Sequence, residues 1–261
     1  IEDLTISLLQ SPSYSNCFSN NEKITVPNKL SEHLMSRIDK LGESKKVAQI
    51  GSVIGKEFSS PMLQAVSNLS PTEIETGIRS LIESGIVIQS TKPGEPVYIF
   101  KHAMIRDAAY ESLLITERIE FHARIGVWLE QEKLSQLHIQ PETIAHHYEI
   151  AGSYDLAVNH WLEAGRQSIS RSNYIESSIH MSNALQLLPK LIKSYERDYI
   201  ELDILTTLAL AYAGAEGIAS QNTGRVYEKA LLLCESLGYP EETFSVLSGL
   251  CSFYFLRSFF G

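Results

Sequence analysis

Apolar residues recur at helical spacing along most of this chain of 261 residues. The strongest helical signal of the first half follows Ser70, which can form a capping box with Glu73, while Pro71 suits the first helical position. Gly85 fits the C-terminal stop of the same helix. The apolar stripe of this helix is predicted to comprise Ile74, Ile78, Leu81 and Ile82.

Two shorter helices are predicted ahead of this one, at about 44–53 and directly after Ser59-Ser60-Pro61. Two β-rich runs follow it, at 86–88 and 97–100, and a turn cluster containing Pro and Gly separates them. Three helices followed by a two-stranded hairpin is the element order of a winged helix. The first half is therefore predicted to hold a winged-helix domain with a small β-hairpin.

The pattern is helical again from the hairpin to the end of the chain. Asp107 to Leu114 is predicted as a helix, Thr116 as the cap of another that reaches about Lys133, and Pro141 as the start of a third. The buried face of the second of these helices is predicted to comprise Phe121, Ile125, Trp128 and Leu129.

Small and large residues then recur in a repeated arrangement. The clearest unit opens with Trp161-x-x-Ala164-Gly165 and closes with the segment from Ser177 to Pro189. Small residues at fixed positions let paired helices approach closely, and this arrangement resembles the tetratricopeptide pattern, whose period is about 34 residues. Because a stack of paired helices presents a concave surface, we predict an α-α superhelix that binds a protein or peptide. Looser matches lie at 144–161, 205–230 and 244–251.

The distribution of charge bears on whether the predicted winged helix reads DNA. The net charge of -9 argues against a general nucleic-acid binder, which needs a basic face. The helix that would enter a groove carries Glu73, Glu75 and Glu83 against the single Arg79, so phosphates would repel it. Nucleic acid is therefore disfavoured as a partner. The alternative left open is a DNA-binding transcriptional regulator that uses the repeats as its effector domain.

Cysteine usage and hydropathy indicate the compartment. Cys17, Cys234 and Cys251 are odd in number, far apart and without a CxxC pair, which favours a reducing compartment over a disulfide framework. No apolar run approaches the roughly 20 residues that span a bilayer, and no signal peptide is visible. We therefore expect a cytoplasmic protein with no membrane partner. The chain opens without Met and stops in an apolar helical pattern, so both ends are expected to be cut from something longer.

One glycine-containing segment resembles a phosphate loop at first sight. Gly51-Ser-Val-Ile-Gly55-Lys56-Glu57 has three residues between its glycines, whereas a phosphate loop needs four. Its lysine is followed by glutamate, where a phosphate loop has the Ser or Thr that holds Mg²⁺. We predict that this segment is the exit of a buried helix.

The remaining candidates for chemistry are histidines and carboxylates. His146 and His147 point about 100° apart on a helix, so we predict that they pack in the repeats and do not share a metal ion. Asp107 and Glu111 are predicted to be solvated or paired with Arg106 or Lys101. No catalytic residue and no metal ligand are predicted. An enzyme that acts through His146 or His147 is kept as a third hypothesis.

The segment Phe100-Lys-His-Ala-Met-Ile-Arg-Asp-Ala-Ala-Tyr-Glu-Ser-Leu-Leu114 resembles a known family. Its members are large bacterial signalling proteins in which an adenylate/guanylate cyclase or protein kinase domain precedes a STAND-type AAA ATPase and tetratricopeptide repeats. By this resemblance, nearly the whole chain corresponds to the region after the ATPase core. Supporting stretches are Ile1-Glu-Asp-Leu-Thr5, 26–41, Val47-Ala-Gln-Ile-Gly-Ser-Val-Ile-Gly-Lys-Glu-Phe58 and Ala145-His-His-Tyr148.

The resemblance implies a role for His102. In related switch ATPases, a His at the join between the hairpin and the next helix contacts the phosphate of bound ADP and holds the closed state. This chain has Ala103 where the family motif has Asp, which is a departure from the pattern. The structural alternative is a His that caps or packs at the junction. ATP or ADP would be bound by the upstream domain of the parent chain, and no cofactor is expected in this region.

The expected organisation has four parts. They are the end of the ATPase lid helices with a loop at 1–42, the winged-helix domain at 43–115, a linker helix at 116–140, and tetratricopeptide-like repeats at 141–261. The resemblance implies a non-catalytic, protein-binding regulatory region of a signalling ATPase. Its expected partners are the upstream ATPase domain in cis and a protein or peptide on the repeat surface.

Overall fold

The structure, a computed structural model, describes residues 36, 38–90, 96–134 and 139–260. The predicted lid remnant at 1–10 and the loop that follows it lie outside these residues. The described chain is mainly helical and contains a small three-stranded sheet. The predicted fold class is confirmed at this level.

The part of the chain before residue 112 combines short helices with the sheet. A 3-10 turn at Gly42–Ser44 precedes the helix that begins at Lys45, and the predicted helices and hairpin strands are found near their expected positions. In chain order the elements are α1 (Lys45–Ile54), β1 (Glu57–Ser59), α2 (Ser60–Val66), α3 (Pro71–Glu83), β2 (Val87–Gln89), β3 (Val97–Phe100) and α4 (Ala103–Glu111).

The sheet has the strand order β1-β3-β2, and both outer strands run antiparallel to β3. Phe58 on β1 lies opposite Tyr98, and Val87 on β2 lies opposite Phe100. The prediction of a two-stranded hairpin was therefore incomplete, because β1 was missed. A strand of three residues is too short to show the alternation on which sequence reading depends.

Helix α3 begins as its sequence predicts. The Ser70 hydroxyl accepts a hydrogen bond from the Glu73 amide at 3.3 Å, and the Glu73 carboxylate accepts one from the Ser70 amide at 2.7 Å. The prediction of a buried Ile82 was wrong, since this side chain is 39% exposed. Gly77 occupies the buried face instead, and a Cβ there would lie 2.5 Å from Val47, so α1 packs directly on the α3 backbone.

We expect Ser70→Ala to lower the free energy of unfolding by about 1 kcal/mol, because the Glu73 amide loses the Ser70 hydroxyl as its acceptor and the Glu73 carboxylate loses that hydroxyl as a donor. The measurement is chemical denaturation followed by circular dichroism. Thr72→Ala, on the exposed surface of the same turn, is the matched control and should leave the stability nearly unchanged. Equal losses in both variants would contradict the capping assignment.

The part of the chain after residue 114 is helical throughout its described length. In the described residues, no helix is both long enough and apolar enough to cross a membrane. The helices are α5 (Ile115–Leu134), α6 (Pro141–Ala151), α7 (Tyr154–Ser170), α8 (Tyr174–Leu187), α9 (Tyr195–Glu216), α10 (Gln221–Ser236) and α11 (Thr243–Phe260), with a 3-10 turn at Leu188–Lys190.

Two predicted boundaries around α4 and α5 were wrong. Helix α4 ends at Glu111, three residues before the predicted end. Helix α5 begins at Ile115, so Thr116 lies inside it and is not its cap. The backbone amide of Leu114 instead donates to the Glu117 carboxylate at 3.2 Å. A carboxylate can therefore accept a hydrogen bond from a free amide at the start of a helix, although the sequence suggested a hydroxyl for this role.

Each helix from α5 to α11 packs on the next one along the chain, and α7 also packs on α9. Glycines set the close approach between neighbours: Gly126 of α5 lies under the Tyr148 ring of α6, and Gly165 of α7 lies against Met181 of α8. Trp161, which opens the best-matched unit, is only 7% exposed. The predicted stack of paired helices is thus observed, with alternate helices α7 and α9 in contact.

The core consists of two clusters that meet at α9. The first cluster runs from Ile38 through the sheet and α4 into the helical stack, and Ile204 and Leu208 of α9 close it. The second cluster begins on the opposite side of α9, with Leu205 and Ala209, and continues into α10 and α11. The sheet-containing part and the first helix pairs therefore share one continuous core.

Candidate functional site

His102 lies at the junction between β3 and α4, as the sequence predicts. Its backbone is extended, with φ -134° and ψ 127°, and its carbonyl accepts the amide of Ile105 at 3.1 Å. Its imidazole makes no capping hydrogen bond to α4 and is exposed. The geometry therefore does not support the alternative in which the His102 side chain caps α4.

Exposed residues of both charges lie in the segments that meet near His102, because Glu57 directly follows Lys56. Lys101 and Lys56 are both exposed, and the Phe100 amide bonds the Lys56 carbonyl at 3.1 Å, which brings the loop after α1 next to the junction. The first-turn amides of a helix carry partial positive charge and lack intrahelical acceptors. Arg106 is paired with Asp107, with 2.6 Å between Nη2 and Oδ1, as predicted for that carboxylate. This end of α4 can therefore interact favourably with an anionic group.

A second group of titratable residues is buried where α4, α5 and α6 meet. His122 Nδ1 lies 2.8 Å from His147 Nδ1, and His122 Nε2 lies 3.1 Å from the Tyr110 hydroxyl. His122 and His147 are only 3% and 4% exposed. The Arg118 guanidinium lies over the Tyr110 ring at 4.6 Å and donates to the Glu111 and Leu113 carbonyls, which caps the end of α4.

Both buried imidazoles are held neutral. Burial, aided by the charges of His146 and Arg118, lowers the pKa of His122 to about 4. Burial, aided by His122 and His146, lowers the pKa of His147 to about 3. Because the two Nδ1 atoms face each other, one must carry hydrogen and the other must accept it. If both Nδ1 atoms carried hydrogen, two donors would face each other. The contact therefore requires that both imidazoles be neutral.

The pair His146-His147 is divided between two environments. His147 points into the core toward His122, whereas His146 is exposed, and their ring centroids are 6.3 Å apart. In the residues that the structure describes, no group of three or more His, Cys, Asp or Glu is arranged to hold a metal. The buried position of His147 agrees with the predicted packing role, whereas the exposed position of His146 does not.

A line of polar contacts joins α5, α7 and α9 across the stack. Glu130 of α5 accepts a hydrogen bond from Tyr148 at 2.7 Å, and its other oxygen lies 3.3 Å from His160 of α7. Further along, Arg166 of α7 pairs with Asp203 of α9 at 3.0 Å. The Glu130–His160 and Arg166–Asp203 contacts connect alternate helices of the stack.

The surface of α3 is acidic where a DNA-reading helix would be basic. Glu73, Glu75 and Glu83 are exposed, and Arg79 is engaged by Glu75 at 3.4 Å. Phosphate recognition needs uncompensated Lys or Arg at the contact surface. The geometry of α3 therefore disfavours the DNA-binding alternative.

His122 and Glu130 were missed in the sequence analysis. Both lie on α5 beside the correctly predicted buried residues Phe121, Ile125 and Leu129. The signal that could have found His122 is its place within that apolar stripe, which a polar residue occupies only with a partner. The identity of the partner could not be read, because His147 is 25 residues away on another helix.

No family model matches the chain. An uncharacterized protein of Rhizobium meliloti (strain 1021) is 29% identical over 211 residues, which are 80% of this chain and 20% of that protein. The chain thus spans about a fifth of the length of the relative it matches.

One solved structure shows a low overall likeness. It is the crystal structure of a Signal Transduction ATPase with Numerous Domains (STAND) protein with a tetratricopeptide repeat sensor from Pyrococcus horikoshii. It is 18% identical, with a TM-score of 0.42, over 88% of this chain and 40% of that one. A likeness at this level is too low to decide fold or function.

Proposed function

We propose that this chain is a non-catalytic regulatory and protein-binding region of a multidomain signalling ATPase. The observation that carries the proposal is the helical stack, in which α7 contacts both α8 and α9 and polar pairs join alternate helices. Such a stack offers an extended surface for a protein or peptide. Its core is continuous with the sheet-containing part, so binding on the repeats is mechanically connected to the β3–α4 junction.

The finer assignment rests on the sequence resemblance of the segment 100–114. The sheet-containing part is proposed to be a winged helix: α1, β1, α2, α3 and the β2–β3 hairpin follow one another in that order. This part would dock on an upstream nucleotide-binding domain, and the repeats would receive a partner. A related sequence that occurs inside a much longer protein supports a place among several domains. A cyclase or kinase output is the proposed readout.

In this proposal His102 contacts a phosphate of ADP held by the upstream domain. The exposed imidazole, the first turn of α4 and the neighbouring Lys101 and Lys56 would together favour an anion. A ligand-dependent switch requires that this contact differ between the two states of the ATPase. In this proposal His102 supplies such a difference by making the contact in the closed state and losing it on opening.

We expect His102→Ala to weaken ADP binding to the full-length protein about tenfold, the loss typical of one charge-assisted hydrogen bond. The measurement is ADP titration by isothermal calorimetry, with circular dichroism to verify folding. His146→Ala, which removes an exposed imidazole on α6, is the matched control and should leave ADP affinity unchanged. Unchanged affinity in a folded His102→Ala protein would reject the sensor role.

A further inference from the structure

Two tyrosines are exposed at the end of the stack where α9 begins and α10 ends. Tyr195 is 61% exposed and Tyr239 is 65% exposed. The Tyr195 hydroxyl lies 3.1 Å from that of Tyr199 and 3.5 Å from the carbonyl of Leu237, so α9 and the α10–α11 loop are joined here. We call the surface formed by Tyr195, Tyr199 and Tyr239 the tyrosine face.

The backbone fixes Tyr239 in an uncommon conformation. After Gly238, with φ +80°, Tyr239 itself has φ +61°, a region that bulky residues rarely adopt. The Tyr239 amide donates a hydrogen bond to the Cys234 carbonyl at 2.9 Å, at the C-terminal end of α10. Within the described part of the chain, its ring and hydroxyl form no stacking contact or hydrogen bond. Packing inside this chain therefore does not account for an aromatic side chain at this position.

The tyrosine face is bordered by uncompensated negative charge. Four exposed glutamates lie within four residues of Tyr195 or Tyr239 in the chain and form no ion pair with any described residue: Glu196, Glu235, Glu241 and Glu242. The hydrogen bond from Tyr195 raises the pKa of Tyr199, and the charge of Glu242 adds to this rise. Lys193 is exposed in the preceding loop and offsets part of this charge.

We propose that the tyrosine face binds an extended, lysine- or arginine-bearing segment of a partner protein. Aromatic faces beside carboxylates attract such cations through both cation–π and Coulomb terms. Among its described residues the chain already forms such contacts, for example Lys190 over Tyr154 at 4.3 Å and Arg257 over Phe253 at 5.6 Å. The inference rests on the proposed protein-binding function and adds the surface and the chemistry of the partner.

The test uses the 261-residue chain and two probes, an eight-residue lysine peptide and an eight-residue glutamate peptide, titrated at low and at physiological salt. The lysine peptide is expected to bind and the glutamate peptide is not. Tyr195→Leu with Tyr239→Leu keeps apolar bulk but removes both π faces, and should weaken lysine-peptide binding about tenfold. Tyr195→Phe with Tyr239→Phe keeps the rings and should stay within about twofold.

A charge control separates a local site from general attraction to an acidic protein. Glu241→Gln with Glu242→Gln is expected to weaken binding about tenfold, whereas Glu57→Gln with Glu83→Gln, the same charge change on exposed residues of the sheet-containing part, should stay within about twofold. Equal losses in the two pairs, or equal binding by the leucine and phenylalanine pairs, would overturn the proposal. Circular dichroism must show that all variants are folded.

These outcomes separate this inference from the proposed function. If the chain binds its ATPase partner in a nucleotide-dependent way but the tyrosine variants bind the lysine peptide like the wild type, only the tyrosine face is rejected. If the peptide results hold but no nucleotide-dependent association exists, the tyrosine face is a binding site and the ATPase assignment is rejected.

Discussion

Acidification is expected to unfold this protein well above the pH at which exposed carboxylates alone would do so. In the folded chain the pKa values are about 4 for His122 and about 3 for His147, whereas an unfolded histidine has a pKa near 6.5. Below about pH 6.5 the unfolded chain therefore binds more protons than the folded one. Stability is fully present above that pH and is lost as the pH falls toward the two folded-state values.

The free energy of unfolding is expected to depend steeply on pH, because two imidazoles take up protons when the chain unfolds. With two excess protons in the unfolded state, the free energy of unfolding falls by up to about 2.7 kcal/mol per pH unit between roughly pH 6 and 4. The measurement is urea denaturation at a series of pH values. His122→Gln with His147→Gln should flatten this slope, even though it lowers stability at pH 7.

The matched control for the acid prediction is His102→Gln. His102 is exposed and takes no part in the His122–His147 contact, so its removal should leave the steep acid dependence in place. A double variant that keeps the full slope would show that the buried imidazoles do not cause it. Carboxylate protonation elsewhere in the chain would then be the cause.

Gly249→Ala is expected to destabilise the C-terminal helices by about 2 kcal/mol. An added Cβ would meet the ring of Tyr227 on α10, and the contact is with a flat, buried ring that has no flexible end to move aside. In a helix interior without such a contact, Gly→Ala stabilises by about 1 kcal/mol. The sign of the stability change therefore shows whether the glycine is packed against the ring. Gly224→Ala should behave alike, because its Cβ would meet the ring of Phe253.

Gly165→Ala is the matched control for the α10–α11 contact. Its Cβ would meet the terminal methyl of Met181, which can rotate away, so the loss should stay within about 1 kcal/mol. Hydrogen exchange measured by mass spectrometry locates the effect. Faster exchange in α10 and α11 with unchanged exchange in the first core cluster is expected for Gly249→Ala. A stabilised protein would contradict the packing described here.

The sequence predicted best what depends on neighbours in the chain. The capping box of Ser70 and Glu73 and the stop at Gly85 are set within one or two helical turns, and each was found as predicted. These signals are local because the bonds that satisfy a helix end reach only three or four residues.

What could not be predicted depends on contacts between distant segments. Strand β1 exists because β3 offers it a free edge, and Ile82 is exposed because Gly77 lets Val47 of another helix occupy the buried face. The His122–His147 contact requires two helices to be packed at a given rotation. Spacing along one sequence does not determine that rotation. The position of His102 at the strand–helix junction could be predicted from the sequence. Its proposed ligand could not be tested in the same way, because that ligand is bound by another domain.

The central claim is that this chain regulates a nucleotide-dependent switch by docking. The most direct measurement is a titration of the chain against the separately expressed nucleotide-binding region of its parent protein, once with ADP and once with a non-hydrolysable ATP analogue. We predict association that is at least about tenfold tighter with ADP, because a regulator must bind the two states unequally. Equal affinity in both nucleotide states, or no association in either, would contradict the account.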